Sequence, residues 1–166
     1  PCPVSVYGKT KLAGEQEILK SGCLYIIIRT AWLYSSFGHN FVKTILRLAD
    51  EKPELNVVND QMGSPTYAAD LARAIATIME NDERVEYEGI YHFSNEGICS
   101  WFDFATEIVN LSGKTCRVNP VSTAEYPSRT PRPAWSVLDK TKIKQTFGVE
   151  VPDWKSSLKC MLENLE

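Results

Sequence analysis

The sequence lacks both a membrane-length apolar run and a surplus of positive charge. No apolar run approaches the roughly 18 residues that a membrane span requires. Its 18 Lys and Arg against 21 Asp and Glu give a formal net charge of −3, which offers nucleic acid no basic footprint. The start, Pro1-Cys2-Pro3, has no basic-then-apolar signal pattern. We therefore expect neither a membrane nor a nucleic acid as partner, and we predict a cytoplasmic protein.

Cysteine pairs and metal-ligand clusters are missing as well. The five cysteines are odd in number, form no C-x-x-C pair and have no histidine at ligand spacing. This pattern argues against a disulfide framework and against a structural zinc site. We expect reduced and mostly buried thiols at the five positions, which are Cys2, Cys23, Cys99, Cys116 and Cys160.

What the chain does have is a regular succession of helix and strand patterns, which predicts an α/β fold. With 166 residues, 43% of them hydrophobic, it can form one ordinary core or two small lobes. The continuous β-branched and aromatic run at 24–28 is typical of a strand buried on both faces of a parallel sheet. Shorter strands are predicted at 55–58, 89–93 and 116–120. Helices are predicted at 6–21, 40–50, 67–80, 101–111, 139–147 and from 154 onward.

A tyrosine and a lysine four residues apart begin the first predicted helix. At this spacing Tyr7 and Lys11 lie on one face, where their functional ends can converge. A phenol is a poor acid at neutral pH, but a nearby ammonium lowers its pKa and brings proton transfer to a carbonyl oxygen within reach. Tyr7 would be the acid and Lys11 the group that tunes it. The same spacing arises by chance on many amphipathic helices, so the pair alone does not establish a catalytic role. Motifs elsewhere in the chain have to support it.

Other candidate ligand contacts follow strands or occupy loops. Trp32 comes where the first predicted strand ends, and ligands of open α/β sheets bind beyond the carboxyl ends of strands. Its indole is either a sugar-facing surface or a part of the core. Asn40 could make polar contacts with a ligand or simply act as a helix N-cap. The loop 59–66 is rich in hydrogen-bonding side chains that could also contact a ligand, although the same residue types mark ordinary turns. Arg129 and Arg132 each carry a planar guanidinium group that can bind two phosphate oxygens at once. Alternatively, both are ordinary solvent-exposed arginines.

Four motifs occur together and in order, namely YGKTKLAGE at 7–15, RTAWLY at 29–34, VNDQMGSPT at 58–66 and RPAWSVLD at 132–139. With them the chain resembles, over nearly all of its length, the C-terminal part of the dTDP-4-dehydrorhamnose reductases, a family of the extended short-chain dehydrogenase/reductase superfamily. Four linked motifs are far more specific than any one of them. In that family a glycine-rich phosphate loop, the first strands of the nucleotide-binding sheet and a catalytic Thr or Ser precede the tyrosine. Only six residues precede Tyr7 here.

The resemblance implies the C-terminal part of an NAD(P)-binding Rossmann-like fold together with a small α/β substrate-binding lobe. Residues 1–53 and 67–95 would be the remnant of the Rossmann-like sheet and its helices. Residues 54–66 and 96–166 would form mainly the substrate-binding lobe, in which the predicted strands at 55–58 and 116–120 would pair as they do in the family.

The resemblance also implies that the chain is a fragment. The family places another strand beside the one predicted at 24–28, and without it that strand would show an unpaired edge. Pairing with another copy, or local disorder, would relieve this edge, and we expect a tendency to self-associate through it. Because the glycine-rich phosphate turn is missing, we also expect the isolated chain to be catalytically silent. The residues that distinguish NADPH from NADH would lie in the missing half.

The implied reaction assigns roles to named residues. A nicotinamide cofactor, NADPH or NADH, would deliver hydride to C4 of a nucleotide-linked 4-keto sugar, dTDP-4-dehydro-L-rhamnose, while Tyr7 donates a proton to the carbonyl oxygen. Lys11 would also bind the nicotinamide ribose, and Arg132 the substrate pyrophosphate. The family admits a homodimer, and in some members Mg²⁺, although no residues here have the spacing of a metal site. The implied cofactor-binding residues are Tyr7, Lys11, Arg29 and Thr30, and the implied substrate-binding residues are Trp32, Asn40, Asn59, Gln61 and Arg132.

Two other functions are compatible with the same motifs. Epimerases and dehydratases of the superfamily share the tyrosine and the lysine but usually add further acid/base residues, and none is assignable here. A non-catalytic regulatory subunit of this fold would hold NADP without turnover, and Tyr7 and Lys11 speak against it only weakly. NADPH oxidation in the presence of the 4-keto sugar nucleotide distinguishes the reductase from the regulatory subunit.

Overall fold

The computed structural model describes residues 1–3, 5–83, 86–126 and 132–165, in which α-helices alternate with short strands. The helices are α1 (Val6–Lys20), α2 (Phe41–Glu51), α3 (Ala68–Glu80), α4 (Trp101–Leu111), α5 (Thr141–Phe147) and α6 (Trp154–Glu163). The strands are β1 (Ile26–Thr30), β2 (Leu33–Tyr34), β3 (Glu54–Val58), β4 (Met62–Gly63), β5 (Thr66–Tyr67), β6 (Gly89–Phe93), β7 (Cys99–Ser100) and β8 (Arg117–Val121). Within the described ranges no helix is both long and apolar enough to cross a bilayer. The predicted α/β class is confirmed.

Local hydrogen bonds define the helix ends where the sequence predicted them. At the start of α1 the Ser5 hydroxyl accepts a hydrogen bond of 3.1 Å from the backbone N–H of Gly8. Ser100 and Asp103 form a reciprocal capping box at the start of α4. After α1, Gly22 adopts a φ of +69°, a left-handed conformation that a residue without Cβ adopts without strain. These contacts satisfy backbone groups that the ends of helices leave unpaired, and they confirm the predicted starts of both helices.

Strand pairs connect elements that are distant in the chain. β1 pairs in parallel with β6, from Ile26 opposite Gly89 to Thr30 opposite Phe93. β3 pairs in parallel with β8 along all of its residues, which confirms the predicted pairing of 55–58 with 116–120. The two-residue pairs β2–β5, which is parallel, and β4–β7, which is antiparallel, fix the loops between the longer elements.

The first strand differs from its prediction in position and in burial. It occupies Ile26–Thr30 rather than 24–28, and Leu24 is 67% exposed. None of its residues is fully buried, so the prediction of burial on both faces is wrong. The physical reason is that β1 pairs only with β6 among the described strands, and α1 buries none of its own residues against it.

The cysteines are all free, but most of them are not buried. Cys99 and Cys116 lie in the interior, whereas Cys2, Cys23 and Cys160 are exposed. The expectation of mostly buried thiols is therefore wrong. These three residues occupy the chain start, the segment after α1 and a solvent-facing position of α6, where no apolar layer covers them.

Two clusters of buried side chains form the interior. The first includes Phe104 and brings together α2, α4, α6 and β3. The second includes Phe93 and brings together α3, α5 and β6. The assignment of 1–53 with 67–95 to one unit and of 54–66 with 96–166 to another stays a prediction.

A buried polar network lies where these two clusters meet. The Asn95 side-chain amide donates hydrogen bonds to Asp70 Oδ2, at 2.5 Å, and to Ser157 Oγ, at 2.9 Å. Its oxygen accepts a hydrogen bond of 2.7 Å from the backbone N–H of Tyr67. Ser157 Oγ in turn donates to Asp70 Oδ2, at 2.5 Å, and the Arg73 guanidinium pairs with the other carboxylate oxygen. The network thus ties together β5, α3, α6 and the end of β6.

We expect Asn95→Ala to lower the free energy of unfolding by about 3 kcal/mol, because it leaves the buried backbone N–H of Tyr67 without a partner and removes one of the three donors to the buried Asp70 carboxylate. Urea unfolding followed by circular dichroism measures this change. Asn110→Ala, at an exposed position of α4, is the matched control and should change the free energy by less than about 0.5 kcal/mol. Equal effects of the two substitutions would contradict the role assigned to the network.

Candidate functional site

Tyr7 and Lys11 lie together on the exposed face of α1. The Lys11 Nζ atom is 5.6 Å from the centroid of the Tyr7 ring. Tyr7 is 72% exposed, and α1 buries none of its residues. The predicted placement of the two side chains on one face of the helix is confirmed. Their roles in catalysis and cofactor binding stay predictions.

An ion pair connects α1 to β1. Arg29 donates from Nε to Glu15 Oε1, at 2.8 Å, and from Nη2 to Glu15 Oε2, at 2.5 Å. The hydrogen bond from Arg29 lowers the pKa of the Glu15 carboxyl, and the same bond raises the pKa of Arg29. Because the pair is bidentate and only partly exposed, it orients α1 on the strand. The implied role of Arg29 in cofactor binding stays a prediction beside this structural one.

Thr66 fixes the loop that follows β1. The Thr30 hydroxyl donates to Thr66 Oγ1, at 3.1 Å, and Thr66 Oγ1 donates to the carbonyl oxygen of Ala31, at 2.5 Å. The backbone N–H of Thr66 donates to the carbonyl oxygen of Trp32, at 3.1 Å. Trp32 adopts a φ of +51°, a left-handed conformation that is unusual for a bulky residue. The hydrogen bonds from Thr66 hold this loop in its strained conformation.

The indole of Trp32 packs between two other parts of the chain. Its ring stacks on Trp101, with centroids 3.6 Å apart and an interplanar angle of 13°. Gly63 lies against the six-membered ring, and a Cβ added to Gly63 would be 2.5 Å from Trp32 Cε2 and Cζ2 and 2.7 Å from Ser136 Oγ. The glycine in the third motif is therefore required for the close approach of the tryptophan in the second.

Two adjacent cavities form around this tryptophan pair. One has a volume of about 220 Å³ and is lined by Trp32, Gln61, Trp101, Arg132, Pro133 and Ser136. The other has a volume of about 300 Å³ and lies mainly between apolar side chains of α2 and β3, with Tyr126 at its border. Gln61, Trp101 and Arg132 line both cavities. The structure therefore brings together Trp32, Gln61 and Arg132, three residues that come from three different motifs.

Backbone pairing fixes the segment that carries Arg132. The Met62 N–H donates to the carbonyl oxygen of Ala134, at 2.8 Å, and the Ser136 N–H donates to the carbonyl oxygen of Met62, at 2.9 Å. Ser136 Oγ donates to the same Met62 oxygen, at 3.0 Å. The Gln61 amide donates to Thr123 Oγ1, at 2.9 Å. The third and fourth motifs are thus held side by side.

Several residues implied by the resemblance lie outside the two cavities. Asn40 caps α2, where its oxygen accepts from the Lys43 N–H at 3.1 Å and its amide donates to the carbonyl oxygen of Ser35 at 2.7 Å. The predicted cap is confirmed, and these two hydrogen bonds use both the oxygen and the nitrogen of the Asn40 side-chain amide. Asn59 is exposed, and Tyr7, Lys11 and Asn59 line neither cavity. The binding roles of these residues stay predictions, and Arg129 lies outside the described residues.

Trp101, Gly63 and Ser136 are site residues that sequence reasoning missed. Trp101 was predicted only as the start of a helix, because its contact with Trp32 joins residues 69 positions apart, and no local pattern shows such a contact. Gly63 and Ser136 lie inside the third and fourth motifs, where their sequence positions alone do not distinguish them from ordinary loop residues. A glycine between hydrogen-bonding residues was the one available signal of a close approach.

Comparison with known proteins places these motifs in a family. The family model described as RmlD substrate binding domain matches residues 1–166. The chain is 45% identical over 161 residues to the spore coat polysaccharide biosynthesis protein SpsK of Bacillus subtilis, with 97% of this chain and 55% of that protein covered. It is 45% identical over 166 residues to a dTDP-4-dehydrorhamnose reductase of Aggregatibacter actinomycetemcomitans, with 95% and 56% covered.

A solved structure agrees with the fold over the whole chain. The crystal structure of a dTDP-4-dehydrorhamnose reductase from Bacillus anthracis, in complex with NADP, has a TM-score of 0.91 at 38% identity and covers 100% of this chain. The match covers 57% of that reductase chain. The chain thus spans just over half the length of the relatives that it matches.

We expect Thr66→Val to lower the free energy of unfolding by about 1–3 kcal/mol, because it removes the hydroxyl that bonds to Thr30 and Ala31. The near-ultraviolet circular dichroism of the tryptophans should weaken with it, since the loop carrying Trp32 loses its support. Thr106→Val is a matched control, because Thr106 Oγ1 is buried without a hydrogen-bond partner among the described residues. A control that loses as much stability as Thr66→Val would refute the assignment.

Proposed function

Because the chain belongs to the RmlD substrate binding domain family, we propose that it is the substrate-binding part of a dTDP-4-dehydrorhamnose reductase, which converts dTDP-4-dehydro-L-rhamnose to dTDP-L-rhamnose. The observation that carries the proposal is the convergence of Trp32, Gln61 and Arg132 on one cavity. Relatives named dTDP-4-dehydrorhamnose reductase, one of them with NADP bound, support the choice of reaction. Since the chain spans just over half of those relatives, the activity is proposed for the complete protein that contains it.

The cavities supply the groups that a sugar nucleotide needs. Arg132 is exposed at the wall shared by both cavities and has no ion-pair partner among the described residues, so its guanidinium is available to the pyrophosphate. The buried Gln61 lines both cavities as well, with its side-chain nitrogen bonded to Thr123 Oγ1. The aromatic and aliphatic walls match the apolar faces of a base and a sugar ring.

The proton of the reduction comes from Tyr7. When bound, NADPH or NADH supplies the hydride that reaches the C4 carbonyl carbon. The Tyr7 hydroxyl then donates its proton to the carbonyl oxygen, so that the ketone becomes an alcohol. The Lys11 Nζ atom lies 5.6 Å from the centroid of the Tyr7 ring.

The first turns of α1 fit the nicotinamide end of the cofactor. Among the described residues, the Tyr7 hydroxyl and the Lys11 ammonium have no hydrogen-bond or ion-pair partner, and both are exposed. Lys11 can therefore bind the ribose hydroxyls as the family resemblance implies. NADPH and NADH stay equal alternatives, and the homodimer and the cytoplasmic location stay predictions. In the described part of the chain no group of three or more His, Cys, Asp or Glu side chains is suited to a metal ion.

We expect Tyr7→Phe in the complete protein to lower kcat by about 100-fold or more, because the substitution removes the proton donor. Cofactor affinity and stability should stay nearly unchanged, since the ring is exposed. NADPH oxidation with the 4-keto sugar nucleotide measures the effect, and Lys11→Met should impair both turnover and cofactor binding.

Tyr87→Phe, which removes a hydroxyl bonded to Glu83, is the control. An unaltered kcat for Tyr7→Phe would disprove the role of Tyr7, and cofactor binding without turnover by the wild type would favour the regulatory subunit.

We expect Arg132→Ala to weaken dTDP binding by about 1.5–3 kcal/mol, the range for a hydrogen bond to a charged group, with kcat less affected. Isothermal titration calorimetry measures the affinity. Arg117→Ala, at an exposed position of β8, removes the same charge away from the cavities and should leave dTDP binding unchanged. Equal affinities of the wild type and Arg132→Ala would show that the pyrophosphate lies elsewhere.

A further inference from the structure

Trp101 is the aromatic residue that both cavities share. It is the first residue of α4, and its capping residue Ser100 belongs to β7, which pairs with β4. Its ring centroid lies 3.6 Å from that of Trp32 and 4.6 Å from that of Phe41 on α2. The indole therefore connects the strained loop after β1 to the first core cluster, where Trp101 is partly buried.

The orientation of the Trp32 indole depends on this partner. The backbone of Trp32 is in a left-handed conformation, and the hydrogen bonds from Thr66 reach main-chain carbonyl oxygens of the loop and not the indole ring. Trp101 covers the ring by stacking, and Gly63 limits it from the side of β4. Stacked aromatic pairs gain energy beyond the area they bury, and they prefer defined geometries. Stacking on Trp101 is thus the contact that sets the direction of the ring.

We propose that Trp101 is a positioning residue of the sugar-nucleotide site, which orients Trp32 and forms the wall that a ligand extending into both cavities must contact. The inference rests on the proposed function. The pyrophosphate is the middle of a sugar nucleotide, and Arg132 lies at the wall shared by the cavities. With the pyrophosphate at Arg132, the nucleoside and the sugar extend into different cavities, and Trp101 borders each of them.

The direct test replaces Trp101 in the complete protein. Trp101→Leu should weaken dTDP binding in calorimetry about 3- to 10-fold, the effect of one lost aromatic pair. The KM for the 4-keto sugar nucleotide should rise to a similar degree, with kcat at saturation changed less than about twofold. The far-ultraviolet exciton couplet of the stacked indoles should disappear. Trp101→Phe retains an aromatic face and should recover most of the affinity without the couplet.

Trp154→Phe is the matched control. Trp154 is a buried tryptophan of the same core cluster, in edge contact with Phe104, and it lines neither cavity. This substitution should lower the melting temperature but leave the dTDP affinity and the exciton couplet unchanged. Equal losses of affinity in Trp101→Leu and Trp154→Phe would show a general packing effect and overturn the proposal.

A second variant tests the proposal if Trp101→Leu does not fold. Gly63→Ala introduces a Cβ that would lie 2.5 Å from the Trp32 ring, so the ring has to shift from its stacked position. It should abolish the exciton couplet and weaken dTDP binding together. Loss of the couplet with wild-type affinity would overturn the positioning role. Failure of the wild type itself to bind dTDP would instead overturn the proposed function, which separates the two ideas.

Discussion

The buried contact between Asn95, Asp70 and Ser157 is the constraint on which the arrangement of the two core clusters depends. Asp70 lies in the first turn of α3, whose Ala74 and Ile78 lie in the second cluster, and Ser157 precedes Leu158 of the first. A buried carboxylate is costly unless several donors surround it, and here an amide, a hydroxyl and a guanidinium do so. Because the amide of Asn95 and the hydroxyl of Ser157 come from other elements than α3, the carboxylate receives all of its hydrogen bonds only when the clusters meet correctly.

The same network extends to the candidate site through one strand. Asn95 accepts from the backbone N–H of Tyr67, and Thr66, the preceding residue, holds the loop of Trp32. Trp32 stacks on Trp101, which lines both cavities. A continuous series of contacts thus leads from the buried polar network to the two cavities of the candidate site. Such a series provides preorganised walls, since the rotamers of the lining residues are set before a ligand arrives.

The sequence predicted those features that local chemistry decides. Ser5, Asn40 and Ser100 cap their helices as expected, because a cap involves residues only three positions apart. The position of β1 was missed by two residues, since its register is set by hydrogen bonds to β6 more than 60 residues away. The stacking of Trp32 on Trp101 was missed for the same reason. The family resemblance supplied Gln61 and Arg132, which composition and periodicity alone do not distinguish from ordinary loop residues.

The residues that line the cavities and the helix that carries Tyr7 and Lys11 are fixed in the structure by different numbers of contacts. The cavities lie between elements that share a core cluster and are joined by strand pairing. The helix that carries Tyr7 and Lys11 buries none of its residues, and its described tie to the sheet is the bidentate pair of Glu15 and Arg29. A proton donor must be held within hydrogen-bond reach of the carbonyl oxygen, which a single partly exposed ion pair does only weakly. In the proposed function, the groups that would bind the sugar nucleotide are therefore fixed by contacts among the described residues, whereas the helix that carries Tyr7 is tied to the sheet by one described ion pair.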